Sequence, residues 1–153
     1  IGSSMGAWIM LMLAKRIPQK ISAMIGLAPA PDFPKILIWD KMTSDEKRKL
    51  IKNRKTSIKY EDGSKNDFSY RLIKDSFKNL TLSESISFNG PIYLYHGMAD
   101  NAVPYEVSIK IINTFKGTND IKLLLEKNAE HRLSETKQLK NITNIIEEIK
   151  TKI

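Results

Sequence analysis

Ten consecutive apolar residues, Met5 to Ala14, follow directly on the tight-turn sequence Gly2-Ser3-Ser4-Met5-Gly6, and this pairing constrains the fold more than any other feature of the chain. A helix apolar on nearly every side belongs inside a layered fold rather than on a surface. It is too short for a membrane span, which needs roughly 18 apolar residues, and Lys15 and Arg16 close it. Pro18 ends the helix. Lys20 to Leu27 then runs mostly apolar, the pattern of a strand buried on both faces, and Ala28 to Pro34, with three prolines, reads as its exit loop.

Between residues 32 and 89 the character changes. Charges crowd the stretch from Lys35 to Lys78 and apolar residues thin out, so the span reads as a helical insertion without a strong strand. Thr43 to Glu46 has capping-box spacing ahead of a basic, solvated helix over 47–55. Gly90 and Pro91 restore order. Pro91 to Tyr95 is a second buried-strand candidate; Tyr105 to Phe115 places Val107, Ile111, Ile112 and Phe115 as a helix packed on a sheet would; Ile121 to Glu126 is a third strand. Ser134 fits the N-cap of a last helix, with Glu135 in its first turn and an apolar stripe through Leu139, Ile142, Ile146, Ile149 and Ile153. Helix, strand, insertion, strand, helix, strand, helix is the order of a single α/β domain with a parallel sheet flanked by helices.

Composition narrows the function classes. A net charge of +8 invites an acidic partner, but the lysines are scattered and far outnumber the arginines, which argues against nucleic acid. The two histidines, His96 and His131, lack the helical spacing of a zinc site and there is no cysteine, so no metal or cofactor is expected. Without cysteine the chain is compatible with a reducing compartment, and with no targeting segment in view the expected location is cytoplasmic. Any nucleophile has to be Ser, Thr, Lys or a carboxylate.

Gly2-Ser3-Ser4-Met5-Gly6 fits G-x-S-x-G with Ser4 in the nucleophile place. The physical sense of that pattern is a nucleophile held in strained geometry at a sharp turn, with glycines two residues before and after removing side chains that would collide. The helix that follows puts the Met5 amide where a developing oxyanion is stabilised. Alone, the pattern carries little weight. Asp100 follows the second strand, where a carboxylate can orient an imidazole, although a loop Asp that caps a turn would look the same. His131 follows the third strand. The order Ser4, Asp100, His131, each just past a strand, joins three weak signals into one.

The segments Gly-Ser-Ser-Met-Gly-Ala-Trp (2–8), His-Gly-Met-Ala-Asp-Asn-Ala-Val-Pro (96–104) and Glu-His-Arg-Leu-Ser (130–134) resemble those of the α/β-hydrolase fold serine hydrolases. The resemblance is nearest to the branch of small esterases and thioesterases that includes depalmitoylating and acyl-glucuronide-opening enzymes. It implies Ser4 as nucleophile, Asp100 as acid, His131 as base, His96 as a structural residue at a strand end, and residues 35–89 as a lid. That branch commonly has Asp before the catalytic His, where this chain has Glu130. The family's first five strands, and the turn donating the second oxyanion N–H, lie upstream of the nucleophile. By resemblance, then, the chain is the carboxyl-terminal part of the fold, an incomplete domain whose upstream half is required for activity.

The implied substrate is an ester or acyl thioester of a small molecule or an acylated protein, with Trp8, Phe33 and Trp39 as candidate pocket walls and Asp32 as a reserve acid. Two other readings compete. One is a truncated, catalytically inactive hydrolase fragment; the other is a basic binding module working through Lys41 to Lys59, which a solvated lid helix explains without a partner.

Overall fold

A computed structural model describes residues 1–59, 63, 65–118 and 120–153. In chain order the elements are β1 (Gly2–Ser3), α1 (Met5–Arg16), β2 (Met24–Leu27), α2 (Ser44–Asn53), β3 (Lys55–Lys59), β4 (Lys65–Ser69), α3 (Tyr70–Ser76), β5 (Ile86–Ser87), β6 (Ile92–Gly97), α4 (Glu106–Thr114), β7 (Phe115–Lys116), β8 (Ile121–Glu126) and α5 (Thr136–Lys150). They form two compact units, one of residues 1–31 and 81–153 and the other of Asp32–Leu80. Of the expected 35–89 insertion, residues 81–89 belong with the first unit, where β5 pairs with β7 in a small sheet of its own and Phe88 meets Phe115 edge-on at 6.4 Å.

The first unit is built on a parallel sheet in the order β1-β2-β6-β8. All six residues of β6 are buried, as a central strand covered on both faces requires. Register assigns the faces. Ile25 lies beside Tyr93, and both pack with Tyr95, Ala129, Leu133, Ile145 and Ile149, which puts α5 on that side. Gly26 lies beside Leu94 on the opposite side, and a Cβ built on Gly26 would stand 3.6 Å from Met10 Cε, which puts α1 there.

Two details depart from the sequence reading. Helix α1 buries Ala7, Trp8, Met10, Leu11 and Ala14 but leaves Met5, Ile9 and Leu13, one turn apart, close to half exposed beside the edge strand β1. Helix α5 is capped by Glu135 rather than Ser134, with Gln138 completing the capping box, and its buried line runs through Gln138, Ile145 and Ile149. Leu139 and Ile153, counted in the expected stripe, are exposed. Ile142, Ile146 and Ile149 of that stripe do pack on the core, so the expected face holds except at its two ends.

The Asp32–Leu80 unit has its own small core of Ile38, Leu50 and Ile73, with Phe33, Trp39, Met42, Ile58, Phe68 and Tyr70 packed against it. The expected capping box is present: Thr43 Oγ1 accepts from the Glu46 amide and the Glu46 carboxylate accepts from the Thr43 amide. The span is not purely helical. Arg54, with φ of 62°, ends α2 in the left-handed region and turns the chain into an antiparallel hairpin in which Lys55 faces Ser69 and Lys59 faces Lys65. Among the described residues of its two strands only Thr56, Ile58 and Phe68 are even half-buried, so the alternation is mostly polar and left no apolar signal to read. Residues 60–62 and 64 of the expected insertion lie outside the described residues.

Candidate active site

Ser4 sits between β1 and α1 with φ of 51° and ψ of −118°, backbone geometry that an L-residue adopts only under constraint. The constraint is visible. Its N–H donates to the Leu27 carbonyl at 2.9 Å, and its own carbonyl accepts from the amides of Ala7 at 3.0 Å and Ala30 at 3.1 Å. Gly2 is where the turn is tightest: a Cβ there would stand 2.5 Å from the Gly6 carbonyl oxygen and 2.7 Å from Ala7 Cα. Gly6 is different, since a Cβ there meets nothing within 4 Å among the described residues. Of the two glycines in the motif, only the first is required by space within this chain.

Asp100 lies on the turn after β6. Its Oδ1 accepts from the amides of Ala102 at 2.9 Å and Val103 at 2.8 Å, which fixes the carboxylate on its own loop. Its Oδ2 accepts from His131 Nδ1 at 2.7 Å and from His96 Nε2 at 3.1 Å. Burial alone would push this carboxyl up; the hydrogen bonds from His131, His96 and the Val103 amide outweigh it and hold the group well below the usual carboxylate range. It stays ionised.

His131 lies on the loop between β8 and α5. That loop is seated against the end of β6: the Ala129 carbonyl accepts from the Ala99 amide at 3.0 Å, and a Cβ on Gly97 would stand 2.0 Å from the same oxygen. With Nδ1 facing the ionised carboxylate, the ring carries its proton there, leaving Nε2 to accept from the Ser4 hydroxyl at 3.0 Å. The structure thus joins Ser4, His131 and Asp100 in one hydrogen-bonded line, with the Asp100 side chain buried and the ring of His131 partly open to solvent.

The remaining sequence candidates fall elsewhere. Met5 begins α1, so its N–H is among those a helix leaves without an intrahelical acceptor. Trp8 is buried in α1. Phe33 and Trp39 pack in the core of the Asp32–Leu80 unit, Phe33 edge-on to Phe68 and Trp39 edge-on to Phe77, each at 5.9 Å. Asp32 is buried with φ of 56°, and its carbonyl accepts from the Lys35 and Ile36 amides to start a helical turn; the carboxylate bonded to His131 is that of Asp100. Glu130 is exposed. The residue missed from sequence is His96 as a partner of Asp100. Its only signal is the spacing of four residues across a turn. Among the described residues no group of three or more His, Asp or Glu side chains is arranged as metal ligands would be, and no helix is long and apolar enough to cross a membrane.

A model of the prolyl oligopeptidase family matches residues 1–148. The chain belongs to that family of α/β hydrolases. It is 29% identical over 155 aligned residues to the human mitochondrial palmitoyl-protein thioesterase ABHD10, and 28% identical to the protein of the same name from Pongo abelii; each alignment covers all of this chain and 50% of the relative. Among solved structures, the mouse alpha/beta hydrolase domain-containing protein 10 superposes with a TM-score of 0.89 at 25% identity, covering 99% of this chain and 60% of that one. The chain spans about half the length of the relatives it matches. As a prolyl oligopeptidase family member it carries the carboxyl-terminal part of the α/β-hydrolase fold.

Proposed function

We propose that this chain supplies the nucleophile, acid and base of a serine hydrolase that cleaves a carboxylic ester or acyl thioester. The observation that carries the reading is the line from Ser4 Oγ through His131 to Asp100, with links of 3.0 and 2.7 Å, starting from a serine held in strained geometry at a helix N-terminus. Ser4 Oγ attacks the acyl carbon while its proton passes to His131 Nε2, and the ionised Asp100 stabilises the imidazolium that results. The Met5 amide donates to the oxyanion of the tetrahedral intermediate. His131 then gives the proton to the departing alcohol or thiol, leaving an acyl-serine. Water, deprotonated by His131, attacks the acyl-serine, and as the acyl–oxygen bond breaks His131 returns that proton to Ser4 Oγ and the acid is released.

The likeness to proteins named palmitoyl-protein thioesterases favours an acyl thioester on a protein as substrate, with a small-molecule ester as the simpler form of the same chemistry. The test is labelling by a fluorophosphonate probe, which reacts with an activated serine. Labelling of the wild type that disappears in Ser4→Ala supports the reading; labelling that survives in Ser4→Ala overturns it. A second reading, a catalytically silent hydrolase fragment, is favoured by one observation: the chain spans half the length of its relatives. Restored labelling on extending the chain upstream, where it was absent before, would favour the enzyme over the fragment.

A further inference from the structure

Five side chains of the sheet unit form an unbroken hydrogen-bonded line: Ser4, His131, Asp100, His96 and Ser108. The last two are fully buried, so neither meets a substrate, and the chemistry above leaves both unused. Two groups face Nε2 of His96, Asp100 Oδ2 at 3.1 Å and the Val103 carbonyl at 3.0 Å. Both are acceptors, so Nε2 carries the ring proton. Nδ1 is then a lone pair, and the hydroxyl of Ser108, in the first turn of α4, donates to it at 2.7 Å. The ring is held in a single tautomer from both sides.

A carboxylate offers about four lone-pair directions. The amides of Ala102 and Val103 occupy two on Oδ1, and His96 occupies one on Oδ2, leaving one for His131. We propose that His96, locked by Ser108, is a positioning residue for Asp100: its Nε2–H fixes the plane of the carboxylate and leaves Oδ2 a single direction, the one that meets His131 Nδ1–H. Without that donor, Asp100 keeps its two amide bonds through Oδ1 but Oδ2 is free to swing about them. The Val103 carbonyl would also lose its partner. The inference deepens the hydrolase reading and rests on it for the role of His131, but the hydrogen bonding it describes is measurable without turnover.

The chain has only two histidines, so ring-labelled ¹⁵N spectra contain two spin systems and assign directly. In the wild-type chain His96 is expected protonated at Nε2 and bare at Nδ1. In His96→Phe the His131 Nδ1–H proton resonance is expected to leave its wild-type position, and in His96→Gln, whose amide nitrogen reaches the place of Nε2 with two protons for the same two acceptors, it is expected to return. In turnover of an ester substrate the Phe variant should lose on the order of tenfold in kcat, the scale of one hydrogen bond to a charged group, with KM unchanged, and the Gln variant should recover most of that loss.

A bare Nε2 in the wild type overturns the inference, as does a Phe variant with a native-like amide spectrum and an unmoved His131 resonance. Where the Phe variant does not fold, the wild-type tautomer and the Gln variant decide by themselves: a folded Gln variant whose His131 resonance departs from the wild type overturns it. Loss of Ser4-dependent probe labelling would count against the hydrolase reading alone, because the His96 and His131 resonances report the positioning independently.

Discussion

Gly97→Ala tests the joint that brings His131 to Asp100. The added Cβ would stand 2.0 Å from the Ala129 carbonyl oxygen and 2.5 Å from its carbonyl carbon. Carbon and carbonyl oxygen ordinarily meet at about 3.3 Å, so the two backbones must part by about 1 Å. Neither side yields easily. Gly97 belongs to β6, paired with β2 and β8, and the Ala129 carbonyl is held by the Ala99 amide at 3.0 Å. The loop is the weaker member, so it retreats and carries His131, two residues further on, with it. Overpacking of this kind costs about 1–3 kcal/mol of stability, and a misplacement of about 1 Å at a reacting group costs on the order of 100-fold in rate. The assay is the rate of fluorophosphonate labelling at Ser4 beside the urea midpoint of unfolding. Gly6→Ala is the control, because its Cβ meets nothing within 4 Å and Ala is the better helix former; its stability should hold or rise. A Gly97→Ala chain that labels as fast as the wild type and unfolds at the same urea concentration would refute the reasoning.

Three further outcomes are expected. Because Asp100 titrates below the usual carboxylate range in the folded chain, its contribution to stability is present above about pH 4 and lost as the pH falls further. Asp100→Asn should therefore lower the urea midpoint at neutral pH and flatten its decline in acid. Burial, then the bond to Glu126, pushes the Tyr95 phenol up to about 12, so an absorbance titration should show a tyrosine phase near that value, and that phase should vanish in Tyr95→Phe. The same sign makes alkaline stability fall as the pH climbs from about 10 toward that value. Leu50→Ala, at one of three buried positions in the core of the Asp32–Leu80 unit, removes about 2–5 kcal/mol. Amide exchange should quicken across that unit while β6 keeps its protection.

What could be read from the sequence divides along a physical line. Strands covered on both faces, such as β6, announce themselves because every residue must be apolar or specially partnered. The hairpin of β3 and β4 gives no such signal, being held by cross-strand polar contacts such as Ser57 to Asp67. In α5 the spacing revealed the helix and the inward face of Ile142, Ile146 and Ile149 but not its ends, since Gln138 is buried as part of the cap and Leu139 faces out, a choice made by tertiary contacts. Ser4, Asp100 and His131 were legible together because all three follow strands of one parallel sheet, and that topology collects strand ends at one rim. The partnership of His96 with Ser108 was not. They are twelve residues apart, on a strand and a helix that meet only when α4 folds back, and neither residue type is unusual where it stands. A sequence shows that a carboxylate is available at a strand end; how many donors hold it, and therefore in which direction it points, depends on elements brought together by folding. The orientation of Asp100 is in that sense a property of the packed sheet unit, which is why the sharpest tests of this site lie at Gly97 and His96, two buried residues of β6.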